Sequence, residues 1–173
     1  MTMEKGYFHV YTGDGKGKST AAFGLALRAL CAGKKVYIGQ FVKNMKYSET
    51  KIENVMDGIK IIQFGKDCCI DRAPDEEDKR LALSGLHECA NILREGKYDL
   101  VILDEVTIAT YLKFIDPQTV LDAVNGRAPH VEVVVTGRYC PELLMDQADL
   151  VTEMKEVKHY YSQGVLSREG IDC

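Results

Sequence analysis

The sequence predicts an α/β protein with a mainly parallel central sheet flanked by helices. Short apolar runs rich in β-branched residues alternate with amphipathic helical patterns. The runs are apolar throughout, which is typical of strands covered on both faces. Neither an internal repeat nor a domain boundary interrupts the 173 residues, so we expect one domain spanning residues 1–173. Alternating strands and helices favour right-handed crossovers within one sheet.

The first half of the chain provides three strands and one helix. Tyr7–Tyr11 and Val36–Phe41 are predicted strands, and a weaker strand, Ile59–Phe64, follows the turn signal Asp57-Gly58. Ser19–Ala32 carries apolar residues at a spacing of three to four and stops before a glycine, which predicts a helix between the first two strands.

The second half continues the alternation. Glu76–Arg94 repeats leucine and alanine at helical spacing and precedes the predicted strand Leu100–Leu103. Pro117–Val124 and Pro141–Ala148 are shorter predicted helices, with proline near the first turn where its missing N–H costs little. Between them lies the predicted strand Val131–Val135.

Composition narrows the class of protein. A content of 46% hydrophobic and 28% charged residues is typical of a soluble globular protein, and the net charge of −4 argues against a nucleic-acid partner. Apolar runs fall short of a bilayer span, so we expect no membrane partner, and Met1–Gly6 is too short for a signal peptide.

The cysteines favour a reducing compartment. They form no C-x-x-C pair, so we interpret them as free, mostly inert packing residues and predict a cytoplasmic protein. The six are Cys31, Cys68, Cys69, Cys89, Cys140 and Cys173.

A glycine-lysine stretch, "TGDGKGKST", follows the first strand and precedes the first helix. Its three glycines free the backbone to point N–H groups at an anion, and the helix N-terminus adds a positive dipole. Lys18 would bring charge to the phosphates, and the Ser19 hydroxyl can bind Mg²⁺. The stretch departs from G-x-x-x-x-G-K-[ST] because Thr12 stands at the first glycine position. The alternative is an ordinary glycine-rich turn.

Two later strand ends support a site for Mg-ATP. "LVILDE" ends with Asp104 and Glu105, and carboxylates at the carboxyl end of a strand can hold Mg²⁺ beside a phosphate loop. "VVVTGR" could bring Arg138 to the same edge of the sheet as a phosphate clamp. Plain strand ends and a surface salt bridge are the alternatives.

These motifs together resemble one family. The segments "TGDGKGKSTAAFGLALRA", "QFVKN", "LVILDE", "VVVTGR", "ADLVTEMKEVKHYYSQG" and the terminal "GID" are similar, in order, to the P-loop ATP:corrinoid adenosyltransferases of the cobalamin pathway. The resemblance runs from about Tyr7 to Asp172, and threonine at the first loop position is that family's own form of the motif.

The resemblance implies a RecA-like P-loop fold and a homodimer. It implies transfer of the 5′-deoxyadenosyl group of ATP to the cobalt of a reduced corrinoid, with release of triphosphate. Cobalamin, cobinamide or cobyrinate diamide would be the acceptor, a flavoprotein or flavodoxin the reductant, and Mg²⁺ the cofactor.

The family's functional positions map onto this sequence. Ser19 and Glu105 would bind Mg²⁺, with Lys18 and Glu105 acting in catalysis, and Arg28 and Arg138 would lie near the nucleotide. The loop residues expected to hold the triphosphate are Gly13, Asp14, Gly15, Lys16, Gly17, Lys18, Ser19 and Thr20. Lys43, Glu49, Cys68, Cys69 and Ile70 would lie in the corrinoid region.

Two departures from the family bear on the corrinoid site. The chain begins its first strand almost at once, whereas some relatives carry an N-terminal helical extension over the corrinoid, so we expect the cover to come from elsewhere in the subunit or its partner. "FGKDCCIDR" carries Cys68, Cys69 and Ile70 where relatives carry aromatic residues. Thiols pack less well than rings against a corrin face, which affects corrinoid preference or efficiency. Ligation of cobalt by a cysteine is a further alternative.

Three functions share these motifs. Cobalt(I) is a strong nucleophile, so the transferase needs no general base; among the histidines only His159, beside Lys158, lies in a family motif. A kinase or ATPase would use the same Mg-ATP site on the γ-phosphate. A corrinoid carrier would bind ATP without turnover.

Overall fold

The computed structural model describes residues 5–43, 47–66 and 74–172. In these ranges six strands form one sheet: β1 (Phe8–Thr12), β2 (Val36–Phe41), β3 (Ile59–Phe64), β4 (Leu100–Asp104), β5 (Glu132–Thr136) and β6 (Leu150–Glu153). The helices are α1 (Lys18–Cys31), α2 (Glu76–Glu95), α3 (Val106–Tyr111), α4 (Pro117–Asn125) and α5 (Glu142–Gln147), with 3₁₀ helices at Ser48–Asn54 and Tyr160–Gln163.

The sheet is parallel at every pairing, in the order β3-β2-β4-β5-β1-β6. This confirms the predicted α/β class and is consistent with a RecA-like P-loop fold. β5 lies between β1 and β4 and pairs with both of them. All six strands place their carboxyl ends at one edge, which is where ligands bind in open parallel sheets.

Each face of the sheet has its own apolar core. Successive residues of a strand point to opposite faces, so Val101 and Leu103 join the core under α2 to α5, while Leu100 and Ile102 join the core under α1. Because both faces are covered, the central strands are buried along their whole length. This explains why they appear in the sequence as continuous apolar runs.

Local signals fix the ends of the helices. The side chain of Asp75 accepts hydrogen bonds from the first turn of α2, and the side chain of Asp78 accepts one from the N–H of Asp75, a capping box that starts the helix. Gly96, in the left-handed conformation, ends the same helix. Asp116 caps α4 and Pro117 opens it. The predicted helices and the five predicted strands are all present, with ends shifted by a residue or two.

The sequence analysis did not predict β6, α3 or the two 3₁₀ helices. β6 is four residues long and exposed, and it forms the edge of the sheet beside β1. α3 has six residues and follows directly after the acidic end of β4. Among the described residues, no helix is long and apolar enough to cross a membrane.

Candidate active site

The predicted phosphate loop lies at the carboxyl edge of the sheet, between β1 and α1. Gly13 and Gly17 adopt φ values of 100° and 120°, a region that side chains other than glycine rarely reach. No side chain caps the first turn of α1. The N–H groups of that turn therefore remain available to an anion, as phosphate loops require.

One loop amide differs from the prediction that glycine N–H groups face the anion. The N–H of Gly15 donates to the carbonyl of Met154, just after β6, at 2.7 Å. A Cβ at Gly13 or Gly15 would lie 2.4 Å or 2.7 Å from that same carbonyl oxygen. These two glycines thus also allow the chain after β6 to approach the loop closely.

Lys18 is buried at the start of α1, with 7% of the residue exposed. Its ammonium group donates to the carbonyl of Gly15 at 2.7 Å, so the side chain folds back over the loop. Burial lowers the pKa of Lys18, an effect that Glu105 opposes and Arg138 reinforces. The lysine thus lies with both charged residues in the same electrostatic neighbourhood.

Asp104 is the centre of a buried polar cluster at the end of β4. Its carboxylate, which is fully buried, accepts hydrogen bonds from Thr136 at 2.7 Å, Gln40 at 3.1 Å and Lys43 at 3.2 Å. The Ser19 hydroxyl lies close enough to this carboxylate to help lower its pKa. Burial raises the pKa of Asp104, but Lys43 and these hydroxyl and amide donors outweigh burial and lower it, so the group is ionised.

Glu105 follows with its backbone in the left-handed conformation, at φ 60° and ψ 19°. Burial, followed by the neighbouring Asp104 charge, raises the pKa of Glu105, while Lys43, Lys18 and Arg138 oppose that shift. The side chain of Glu105 therefore lies among the cations of the site, whereas Asp104 lies close to the Ser19 hydroxyl.

Two polar residues of this cluster escaped the sequence analysis. Thr136, at the end of β5, donates to Asp104 and accepts from the N–H of Glu105 at 3.0 Å. Gln40, in β2, contacts Asp104 and accepts from Gln63 at 2.9 Å. The available signal was the presence of a polar side chain within an apolar strand, which is expected only where it finds buried partners.

Backbone strain gathers at the same edge of the sheet. Four described residues other than glycine have positive φ, and three of them, Val42, Glu105 and Tyr139, follow closely after β2, β4 and β5. Such conformations cost of order 1–3 kcal/mol each and concentrate at functional sites. The exposed ring of Tyr139 stacks on the ring of Tyr111, with the ring centroids 4.2 Å apart.

The two arginines predicted to lie near the nucleotide occupy different parts of the structure. Arg138 is exposed just after β5, close enough to influence Lys18 and Glu105, and its carbonyl accepts from Thr107 at 2.7 Å. Arg28 is exposed in the last turn of α1, where it influences Tyr11. Ten helical residues separate it from Lys18, a rise of roughly 15 Å. The position of Arg28 near a bound nucleotide stays a prediction.

Two of the residues predicted for the corrinoid region, Lys43 and Glu49, lie close enough to interact electrostatically. Lys43 extends to Asp104, and its ammonium group also lies 5.6 Å from the centre of the Tyr47 ring. Burial lowers the pKa of Lys43, but Asp104, Glu105 and Glu49 together outweigh burial and leave it raised. Glu49 lies in the 3₁₀ helix Ser48–Asn54, at an open, largely apolar cavity of about 440 Å³ between that helix and α1.

Cys68, Cys69 and Ile70 lie outside the described residues. Of the other cysteines, Cys31 is exposed, Cys89 is buried and Cys140 is half-buried, and none of these three is in a disulfide. Their placement, on α1, on α2 and before α5, agrees with the interpretation of free thiols.

Lys16 of the phosphate loop contacts the C-terminal part of the chain, and His159 lies within that part. The ammonium group of Lys16 contacts the carbonyl of Ile171 and the carboxylate of Asp172. His159 caps the 3₁₀ helix Tyr160–Gln163, with its ring accepting from the N–H of Tyr161 at 3.0 Å. The structure thus gives His159 a local structural contact.

The side-chain oxygen atoms near the phosphate loop are of the chemical type that binds magnesium. Within the described ranges, no group of three or more His, Cys, Asp or Glu side chains could hold a metal ion. The Ser19 hydroxyl lies near the Asp104 carboxylate, and Glu105 is close enough to Asp104 and Lys18 to interact with both electrostatically. Magnesium commonly binds one or two carboxylates together with the substrate's phosphates, so this donor set suits an ion that arrives with a nucleotide.

The known proteins to which this chain is similar include corrinoid adenosyltransferases from several bacteria. The family model for ATP:corrinoid adenosyltransferase BtuR/CobO/CobP matches residues 4–173. Corrinoid adenosyltransferase CobA of Salmonella typhimurium is 33% identical over 169 residues, covering 98% of this chain and 86% of that protein. The corrinoid adenosyltransferase of Escherichia coli K12 has the same identity and coverage. A corrinoid adenosyltransferase of Sinorhizobium sp. is 33% identical over 175 residues, which cover 99% of this chain and 82% of that protein.

Proposed function

The chain belongs to the ATP:corrinoid adenosyltransferase family, and from this premise we propose that it transfers the 5′-deoxyadenosyl group of ATP to cobalt(I) of a reduced corrinoid. The observation that carries the proposal is the closeness of Lys18, at the end of the phosphate loop, to Asp104 and Glu105 at the end of β4, with which it interacts electrostatically. Triphosphate is the second product.

The proposed bond changes are simple. The electron pair of cobalt(I) attacks C5′ of the ribose, a cobalt–carbon bond forms, and the bond from C5′ to the α-phosphate ester oxygen breaks. That oxygen leaves with its electron pair on the triphosphate. The nucleophile carries no proton to remove, so the protein needs no general base. Its tasks are to align three atoms and to stabilise charge on the leaving oxygen.

The loop supplies that stabilisation. Lys18 would turn from the carbonyl of Gly15 to the triphosphate, a change that breaks a single hydrogen bond. The uncapped first turn of α1 offers N–H groups to the same anion. Arg138, which lies close enough to influence Lys18, would add a second positive side chain at the nucleotide.

Magnesium would be held by Ser19 and Glu105, and it would supply charge neutralisation on the triphosphate. Asp104 lies beside the Ser19 hydroxyl and would support this arrangement, while Thr136 fixes Asp104 and the backbone of Glu105 together. Asp104 would reach the ion through Ser19, because its carboxylate oxygens already accept from Thr136, Gln40 and Lys43.

The corrinoid would approach the carboxyl edge of the sheet from the side of Lys43 and Glu49, with Cys68, Cys69 and Ile70 in the neighbouring segment. Cobalamin, cobinamide and cobyrinate diamide remain the candidate acceptors. We further propose a homodimer in the cytoplasm, with a flavoprotein or flavodoxin as the source of electrons for cobalt.

An ATP analogue with a non-hydrolysable β–γ bridge tests the reaction. The bond broken in adenosyl transfer lies on the other side of the α-phosphate, so the analogue should still yield the light-sensitive alkylated corrinoid under anaerobic, reducing conditions. A kinase or ATPase acting at the γ-phosphate would be blocked. Product analysis with ATP provides the control. Triphosphate supports the proposal, whereas ADP, or ATP recovered unchanged beside a bound corrinoid, would overturn it.

A further inference from the structure

The C-terminal turn of the chain contacts the phosphate loop through one side chain. The ammonium group of Lys16 lies 2.7 Å from a carboxylate oxygen of Asp172 and donates to the carbonyl of Ile171 at 2.9 Å. The Asp172 side chain is only 11% exposed, against 38% for Lys16. A loop residue next to Gly17 is therefore attached to the end of the chain, 155 positions away in sequence.

Asp172 is itself held by groups that do not belong to the loop. Its carboxylate accepts from the Tyr160 hydroxyl, from the N–H of Arg168 at 3.2 Å and from the guanidinium of Arg168 at 3.0 Å. That guanidinium also lies 4.8 Å from the centre of the Tyr160 ring. The carboxylate thus occupies a fixed position whether or not Lys16 contacts it.

The backbone of the loop is restrained from the same side. The carbonyl of Met154 accepts from Gly15, and the N–H of Met154 donates to Thr12 at 2.8 Å, which extends the pairing of β6 with β1 to the start of the loop. Backbone contacts from Met154 and a side-chain contact from Asp172 therefore act on consecutive loop residues, Gly15 and Lys16.

We infer that Asp172 is a positioning residue for ATP binding: through Lys16 it holds the phosphate loop in its binding conformation before the nucleotide arrives. The inference rests on the proposed function for the identity of the ligand. Its physical basis is preorganisation, since a loop that is already ordered loses less conformational freedom when it binds. Lys16, by contrast with Lys18, acts on the loop and not chiefly on the phosphates.

Replacing Asp172 by asparagine tests this directly. The amide keeps the size of the side chain but removes the charge that holds Lys16. We expect the Kd for Mg-ATP, measured by titration calorimetry without corrinoid, to rise roughly three- to tenfold. The KM for ATP should rise by a similar factor with kcat nearly unchanged. Asp172→Glu, which restores the carboxylate, should recover most of the affinity.

Glu169→Gln is the matched control. It removes one negative charge from the same turn, but the Glu169 side chain is 85% exposed and lies 3.7 Å from Lys51, away from the loop. Its Kd for ATP should stay within twofold of wild type. An equal loss in Glu169→Gln would show that net charge, and not the Lys16 contact, controls affinity, and would overturn the inference.

A double-mutant cycle with Lys16→Met identifies the route of the effect. If Asp172 acts through Lys16, adding Asp172→Asn to Lys16→Met should change the Kd by less than twofold. A full additional loss would overturn the inference in favour of a role through Arg168 or Tyr160. Unchanged or tighter ATP binding in Asp172→Asn would also overturn it, since tighter binding marks a carboxylate that competes with phosphate.

Two further readouts keep the outcome clear. If Asp172→Asn lowers the melting temperature by several degrees, hydrogen exchange of the amides at residues 13–17 shows whether the effect is local. Faster exchange confined to the loop and the C-terminal turn supports the inference. Faster exchange throughout the protein overturns it. Because Kd is measured without corrinoid, the outcome does not depend on turnover. Wild-type protein that binds ATP but forms no alkylated corrinoid would contradict the proposed transferase and leave this result standing.

Discussion

Thr136 joins the two carboxylates of the site through one hydroxyl group. It donates to Asp104 and accepts from the N–H of Glu105, so both residues depend on its position. Thr136→Val keeps the shape but leaves the part-buried N–H of Glu105 and one oxygen of the Asp104 carboxylate without this partner, at a cost of about 1–3 kcal/mol. We expect a folded protein with lower transfer activity, checked by thermal unfolding and by the initial rate of cobalt–carbon bond formation.

Thr110→Val is the control for that substitution. Thr110 is also buried, and its hydroxyl donates to the carbonyl of Thr107 within α3. The carbonyl retains its place in the helix, so this variant should lose stability alone and keep its activity at temperatures where it is folded. Equal activity losses in the two variants would contradict the role given to Thr136.

The described cysteines should differ in reactivity. Burial raises the pKa of the Cys140 thiol to about 12, so at pH 8 nearly all of it is the unreactive protonated form. Cys89 is fully buried, whereas Cys31 is exposed. Brief alkylation at pH 8 followed by peptide mapping should label Cys31 and spare the other two. Labelling of Cys140 should increase with pH in the folded protein, and equal labelling of all three at pH 8 would contradict this arrangement.

At the residue scale, the sequence predicts the phosphate loop better than the acidic site. Glycines at every second position and a lysine between a strand and a helix have few alternative uses, and Lys18 and Ser19 lie at the start of α1, directly after this loop. The roles of Asp104 and Glu105 cannot be separated in this way, because β4 is buried on both faces and shows no polar alternation. Only the left-handed turn at Glu105 separates the environments of the two carboxylates.

At the scale of elements, α2 packs on β3 through a glycine. A Cβ at Gly85 would lie 2.2 Å from Cγ of Phe64, well inside contact distance. Gly85→Ala should therefore force the helix away from the strand, and we expect it to reduce the free energy of unfolding by about 1–3 kcal/mol. Urea unfolding followed by circular dichroism measures this change.

Gly24→Ala provides the matched comparison within α1. A Cβ at this helical glycine would meet nothing within 4 Å. Alanine restricts the unfolded chain and suits a helix better than glycine, so the variant should gain up to about 1 kcal/mol. If the two substitutions changed stability equally, contact with Phe64 would not be the cause.

The positions of β6 and α3 depend on contacts with residues distant in sequence, which local sequence patterns do not contain. β6 has no buried residue, so its sequence, LVTE, carries none of the continuous apolar character of the central strands. Its position is set by pairing with β1, a contact distant in sequence. α3 contains four β-branched residues in six and is held by tertiary packing of Val106 and Ala109. Helix propensity alone would not predict it.

At the scale of the whole molecule, ATP should stabilise the entire fold through the loop. The ligand binds the folded state alone, so a concentration 100 times the Kd adds about 2.7 kcal/mol to the free energy of unfolding. For a chain of this size that raises the melting temperature by about 5–10 °C. Differential scanning fluorimetry with and without Mg-ATP measures the shift.

Lys18→Ala should abolish most of that shift and the transfer activity, since it removes the buried ammonium group at the loop. The melting temperature without ATP should change little, because the side chain's one hydrogen bond in the structure is to the carbonyl of Gly15. A full thermal shift and normal turnover in this variant would exclude the loop from the mechanism.

The place of β5 between β1 and β4 has a consequence for length changes in evolution and engineering. Neighbouring strands lie about 4.8 Å apart, so the phosphate loop and the acidic end of β4 are separated by roughly 10 Å at the level of the backbone. An insertion of one residue inside β5 would reverse its faces. It would withdraw Thr136 from Asp104 and break the pairing with both neighbours in a single event. Insertions in the turn at residues 126–130 leave that register untouched, so natural and engineered length variants of this sheet should accumulate there and be absent from β5.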